Sequence, residues 1–200
     1  MQSIVDRVMR GALRTPWSGT VYRTHGPTWK PDDPGGSLSG SGRWNVGEND
    51  PDERMPFPAL YTATSPAVAT WEYIRHSKRP DGAEMWQRLR VTLATMTVAL
   101  PSAMDLRDPG RVGLAVGTLT GDDYELPRAI ASAAYARGAS GLLVPTATGV
   151  GAASGDYNVV VFFELTGNVT TVYGFPTAET TPRTGVAIEI LGSEAPNLPP

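Results

Sequence analysis

ALYTATSPAVATWEYIRHSKR, residues 59–79, changes its periodicity halfway, and that change decides the fold class. ALYTAT (59–64) has the length and the β-branched and aromatic content of a strand. Ser65 then suits a helix N-cap, and Pro66 suits a first turn, where a missing N–H costs nothing. From there Ala67, Val68, Trp71 and Ile74 recur at the spacing of one helix face. A strand that passes straight into a helix belongs to a chain that mixes the two, and the flanks agree.

Upstream, Ile4, Val5, Val8, Met9 and Leu13 predict an amphipathic helix over 2–14, and TVYRTH (20–25) predicts a strand. Downstream, MWQRLRVTLATMTVAL (85–100) alternates with period two, but its apolar phase shifts near Ala94. Leu89, Val91 and Leu93 share one face, while Met96, Val98 and Leu100 share the other, which a bulge or two successive strands would produce. DYELPRAIASAAYAR (123–137) is helical beyond Pro127, with Gly138 placed as a C-cap. SGLLVPT, YNVVVFFEL, VTTVYGF and GVAIEIL are short strands, and NVVVFFE, apolar on both faces, is a central one. The expected fold is α+β in a single domain, with several strands, about three helices and no internal repeat. NLPP (197–200) is expected to be frayed.

Two hundred residues with 40% hydrophobic content can build a real core. A net charge of −3 argues against a general nucleic-acid binder, which would show a basic face. The absence of cysteine excludes disulfides, thiolate–zinc sites and cysteine nucleophiles. His25 and His76 are the only histidines, so no His-rich metal site is written into the chain. The N-terminus lacks the apolar run of a signal peptide, and no stretch approaches the roughly 18 consecutive apolar residues of a membrane span. The expected location is cytoplasmic.

Chemistry therefore falls to arginines, carboxylates, hydroxyls and aromatics. GSGRWNVGE (40–48) places Trp44 and Arg43 among glycines, inside a Pro- and Gly-rich stretch over 26–58 that is long for a mere connection. Glycine lets backbone approach a ligand, and the arginine fork fits carboxylate or phosphate. No GK[ST] follows to make the loop a P-loop. Arg23 sits inside a strand beside Tyr22, where an arginine is commonly a solvated or salt-bridged residue. Glu72 borders the apolar helix stripe and would read alone as a boundary carboxylate paired with Arg75 or His76. Tyr61 can be core, Thr146 and Asn158 ordinary turn and strand-edge residues, and His76 a helix C-terminal imidazole. The order of the group is more specific than any member.

Tyr22-Arg23, then Gly42-Arg43-Trp44-Asn45, then Leu60-Tyr61 and Ala67–Glu72, resembles the RES domain family. GASGLLVPTATG and YNVVVFF resemble two further family segments, so the likeness runs from about residue 18 to 166. Two positions depart: Ser41 replaces the first loop glycine, and Thr146 stands where the family serine would sit, keeping the hydroxyl and adding a methyl. The resemblance implies mostly antiparallel strands in a fold like that of ADP-ribosyltransferases. It divides the chain into an N-terminal helix and lead-in (1–17), an NAD+-binding catalytic unit (18–166), and C-terminal strands and tail (167–200) packed on or trailing from the same domain.

It also implies a toxin of a type II toxin–antitoxin system that destroys NAD+ at the nicotinamide–ribose bond, by hydrolysis or phosphorolysis. The implied partner is an Xre-type helix-turn-helix antitoxin, with oligomers forming through that complex. NAD+ would be the substrate and inorganic phosphate a co-substrate, with no cofactor, metal, nucleic acid or membrane. Glu72, Arg23 and Tyr61 would be catalytic; Arg23, Arg43, Tyr22, Trp44, Asn45, Thr146 and Asn158 would bind NAD+. In this reading two arginines clamp the diphosphate. Glu72 stabilises the ribosyl cation, Tyr61 stacks on nicotinamide, and Trp44 pins the loop so that Arg43 points one way. Two alternatives remain: ADP-ribose transfer to a protein, and a catalytically silent nucleotide- or partner-binding module.

Overall fold

The computed structural model describes residues 1–27, 29–48, 54–77, 90–149, 155–167, 170–172 and 175–196, with residues 77, 170–172 and 175–177 described by their backbone alone. Its elements run α1 (Gln2–Gly11), β1 (Leu13–His25), α2 (Gly36–Ser39), β2 (Ala59–Ala63), α3 (Pro66–Ser77), β3 (Thr92–Asp105), a 3₁₀ turn (Pro109–Val112), α4 (Val116–Thr120), α5 (Glu125–Ala136), β4 (Gly141–Pro145), β5 (Tyr157–Leu165), β6 (Thr170–Val172), β7 (Phe175–Thr177), β8 (Thr180–Pro182) and β9 (Ala187–Glu194). It is a sheet-dominated α+β domain. The three expected helices are α1, α3 and α5; α2 and α4 are single turns too short to leave a periodic signature.

The main sheet runs β1-β2-β5-β4-β3-β9, and β1 also pairs with β3, so five strands close into a ring. Only β3 and β4 are parallel among the described pairings. β5 lies between β2 and β4, and this explains why NVVVFFE is apolar on both faces. Val159, Val161 and Phe163 point into a core that draws on all five ring strands, including Val21, Leu60, Met96 and Leu143. Val160 and Phe162 point the other way, into a larger core with Val5 and Val8 of α1, Ile130 and Ala134 of α5, and Trp44. Both faces of the strand are therefore dry.

Several expected boundaries move. The helix expected over 2–14 ends at Gly11, because Ala12 is already extended and Leu13 opens β1. The strand expected over 20–25 is thirteen residues long. Pro16 hid its first half, and the strand tolerates that proline at a register shift against β3 between Thr15 and Trp17. The phase shift near Ala94 is neither a bulge in β3 nor a pair of successive strands: β3 pairs with β1 without interruption from Thr92 to Leu100, and the extra residue in its pairing with β9 is Leu191 of β9. Both faces of β3 are covered at this end, since Leu93 packs with Val68 and Ala69 of α3 while Met96, Val98 and Leu100 enter the core of the strand ring. Pro127 falls inside the first turn of α5, where N–H groups have no intrahelical partner, so the helix begins earlier than expected. Gly138 takes φ +79° just beyond that helix, as a C-terminal glycine does. Leu89 and the NLPP tail lie outside the described residues.

Candidate active site

α3 leaves β2 after two residues, and the Ser65 hydroxyl accepts the Val68 N–H at 3.4 Å as its cap. The turn carries Glu72 towards the end of β4 and the start of β5, which are neighbours because Val144 pairs with Asn158. There Glu72 Oε1 accepts three hydrogen bonds: from Thr146 Oγ1 at 3.1 Å, Ala147 N at 2.9 Å and Asn158 Nδ2 at 2.8 Å. Oε2 has no hydrogen-bond partner among the described residues. The carboxylate is thus oriented by dipoles, not neutralised by a cation. Arg75 pairs with Asp122 at 2.7 Å, so the Glu72–Arg75 pair of the simplest sequence reading does not form. The Arg75 guanidinium also donates to the Ala147 carbonyl.

The glycine-rich loop is built around Asn45, which is fully buried. Its Oδ1 accepts from Gly42 N at 2.9 Å and from the Tyr61 hydroxyl at 2.8 Å. Its Nδ2 donates to the Ser37 and Gly40 carbonyls at 2.6 and 3.2 Å. Tyr61 Oη in turn accepts the Trp44 N–H at 2.9 Å. Burial raises the phenol's pKa above its ordinary value, so the hydroxyl stays protonated and can serve as both donor and acceptor. The glycines are required by contact: a Cβ on Gly42 would lie 2.4 Å from Tyr61 Oη, and one on Gly47 2.6 Å from the Gly40 carbonyl carbon. Ser41 has a use of its own, since its hydroxyl accepts the Gly47 N–H at 2.9 Å.

Both arginines are more engaged than expected. Arg43 is 5% exposed, and one terminal nitrogen donates to the Leu119 carbonyl at 3.1 Å and to the Gly121 carbonyl, at the C-terminal end of α4. Its guanidinium also lies 4.3 Å from the Tyr124 ring centre. Burial lowers its pKa, with Tyr124 acting against the shift. Arg23 uses one nitrogen on the carbonyls of Lys30, Pro31 and Asp33, at 3.3, 2.7 and 2.8 Å. Burial brings it down to about 10, against the pull of Asp33 and Asp32, so it remains a cation at neutral pH.

Tyr22, Arg23, Arg43, Trp44, Asn45, Tyr61, Glu72 and Asn158 all line one cavity of about 470 Å³, within the range of small-ligand sites. Thr146 is not among the lining residues and reaches the site through Glu72. Asn45 and Trp44 serve the loop: the Asn45 carboxamide is saturated internally, and Trp44 is 2% exposed in the main core. Tyr61 is shared, lining the cavity while packing on that core. The sequence reading missed Trp29, His25 and Tyr73, which also line the cavity. Trp29 carries the same signal as Trp44, a large ring in a Pro- and Gly-rich stretch. Among the described residues no group of three or more His, Asp or Glu could hold a metal, and no helix is long and apolar enough to cross a membrane.

The model of the RES domain family matches residues 20–172. The chain is 31% identical over 155 residues to the NAD(+) phosphorylase MbcT of Mycobacterium bovis and to that of Mycobacterium tuberculosis, covering 75% of this chain and 78% of each relative. Its structure is similar, with a TM-score of 0.69 and 26% identity, to a chain in the crystal structure of the M. tuberculosis MbcT–MbcA toxin–antitoxin complex, covering 98% of this chain and 92% of that one. A match over residues 20–172, with the loop, strand and helix motifs folded around one cavity, places the chain in the RES domain family.

Proposed function

We propose that this protein is a toxin that degrades NAD+ by cleaving the nicotinamide–ribose bond, with inorganic phosphate as the attacking nucleophile. The observation that carries the reading is Glu72: a carboxylate held by three donors on one oxygen, its other oxygen without a hydrogen-bond partner among the described residues, in the wall of a cavity that also holds Arg23 and Arg43. The MbcT relatives, named NAD(+) phosphorylases, support the choice of substrate and nucleophile.

Nicotinamide leaves with the electron pair of its C–N bond and becomes neutral, so its departure needs no general acid. A chain with two histidines and no cysteine therefore lacks nothing for this step. As the bond breaks, positive charge develops on the ribose. Glu72 Oε2 is the atom that meets it, or that holds a ribose hydroxyl beside it; Thr146, Ala147 and Asn158 fix its position before reaction, so little reorganisation is needed. A phosphate oxygen then forms the new bond to the same carbon. Arg23 and Arg43 supply fixed positive charge for the diphosphate through the nitrogens not already used on carbonyls. Tyr22, Tyr61 and Asn158 complete the contact surface, and Asn45 and Trp44 hold its shape.

In the same reading the fold is of the ADP-ribosyltransferase type. Residues 18–166 form the catalytic unit, with 1–17 and 167–200 completing the same domain. The protein acts in the cytoplasm and is held inactive by an Xre-type antitoxin. The likeness to a toxin–antitoxin complex supports that partner class.

Incubation with NAD+, with and without inorganic phosphate, followed by identification of the products, tests the reading. Phosphate-dependent release of nicotinamide together with ADP-ribose 1″-phosphate is the expected result. Phosphate-independent release of ADP-ribose would replace phosphorolysis by hydrolysis, and ADP-ribose found on protein would make the enzyme a transferase. No consumption of NAD+ by folded protein would leave a binding module.

A further inference from the structure

Trp29 has no part in the chemistry above, yet it is 44% exposed while lining the same cavity. A large ring left this open to water is unusual unless something covers it. It is also held. Its backbone N–H donates to the Gly26 carbonyl at 3.2 Å, and glycine backbone approaches both ends of the indole. A Cβ on Gly35 would come within 3.2 Å of its six-membered ring, and one on Gly26 within 3.6 Å of its five-membered ring. The loop beyond it is fastened by Arg23, through the carbonyls of Lys30, Pro31 and Asp33, and by the Asp33 carboxylate, which accepts the Gly35 N–H at 2.7 Å. The ring is exposed but not loose, which is the condition for a preformed stacking surface.

We infer that Trp29 is the stacking platform for the adenine base of NAD+, an inference that rests on the proposed NAD+ chemistry. The dinucleotide has two flat ends, and the nicotinamide end belongs at Glu72, where its bond breaks. Trp29 stands between Gly26 and Gly35 in the loop that Arg23 fastens, whereas Glu72 is held by Thr146, Ala147 and Asn158 at the ends of β4 and β5. With the diphosphate on Arg23, the ring that reaches this loop is the adenine. Stacking uses the π-face that every base has, so the subsite is tolerant of base identity and selects for the presence of a base.

The test is calorimetric titration of wild type, Trp29→Ala and Trp29→Phe with ADP-ribose, which lacks nicotinamide, and with nicotinamide mononucleotide, which lacks adenosine. Trp29→Ala is expected to weaken ADP-ribose about tenfold or more and to leave nicotinamide mononucleotide unchanged, with Trp29→Phe recovering most of the loss. Equal weakening of both ligands, unchanged ADP-ribose affinity, or no ADP-ribose binding by wild type overturns the inference. Nicotinamide release from NAD+ is followed separately on the same preparations. Trp29-dependent ADP-ribose binding without any turnover would leave the base subsite standing and remove the enzymatic reading alone.

Discussion

Glu72 and Arg75, one turn apart on α3, hold the same residue by its two backbone polar groups: Glu72 accepts the Ala147 N–H at 2.9 Å, and Arg75 donates to the Ala147 carbonyl. The second arm of Arg75 reaches Asp122. One side chain therefore fixes the segment that orients the carboxylate. Arg75→Met is expected to lower kcat roughly 10- to 100-fold, because small misplacements of a reacting group cost that much, while KM for NAD+ stays nearly constant. In a Glu72→Gln background the same change should add almost nothing to the loss in kcat. A full additional loss there would assign Arg75 a role independent of Glu72.

Glu72→Gln itself removes a charge and keeps the shape. An amide oxygen can still accept from Thr146, Ala147 and Asn158, so the variant is expected to melt near the wild-type temperature and to bind NAD+ nearly as well. Turnover should fall about 10²–10³-fold, the usual loss for one preorganised electrostatic group. Melting, affinity and nicotinamide release measured on one preparation decide the matter. Reduced stability with undiminished turnover of the folded fraction would make Glu72 structural.

The loop is a different case, since its residues act through the fold. Asn45→Ala leaves the Gly42 N–H and the Tyr61 hydroxyl short of a partner, at a cost of about 1–3 kcal/mol for each buried group left unsatisfied. Gly42→Ala should be at least as damaging, because its Cβ would overlap the Tyr61 oxygen. Denaturant unfolding of both variants is expected to shift to lower midpoints. Wild-type midpoints would show that the Asn45–Tyr61–Gly42 arrangement does not hold the loop.

Expression of this chain alone in bacteria is expected to arrest growth and deplete cellular NAD+, and the Glu72→Gln variant to do neither. Normal growth with unchanged NAD+, in cells shown to contain soluble folded protein, would contradict the toxin reading.

What the sequence disclosed follows physical range. The turn from β2 into α3 was legible because caps and periodicity are local, whereas the change of apolar face in β3 marked not a bulge but the place where α3 covers its second face. The glycine loop declared itself through composition, but its organiser did not: nothing local distinguishes Asn45 as the residue that satisfies Ser37, Gly40, Gly42 and Tyr61 at once. Arg43 looked free to meet a ligand because α4, whose carbonyls it binds, is too short to announce itself. Thr146 and Asn158 were identified through family resemblance alone, since no pattern within a strand says that it will end beside a carboxylate far back in the chain. The closing of β1 onto β3 is a backbone event and leaves no mark on side-chain pattern.

The separation along the chain has a consequence for when the proposed activity becomes available. The donors that orient Glu72 lie 74, 75 and 86 residues downstream, and long-range closures of this kind form late. A polypeptide still emerging from the ribosome carries its carboxylate on α3 with nothing to aim it. A chain stopped after Pro145 is expected to release no nicotinamide, because Thr146, Ala147 and Asn158 are missing from it; detectable release from such a fragment would show that they are dispensable. If the proposed function holds, toxicity requires the residues from Thr146 onward, about the last quarter of the chain, which leaves the cell making the protein an interval in which its product is inert.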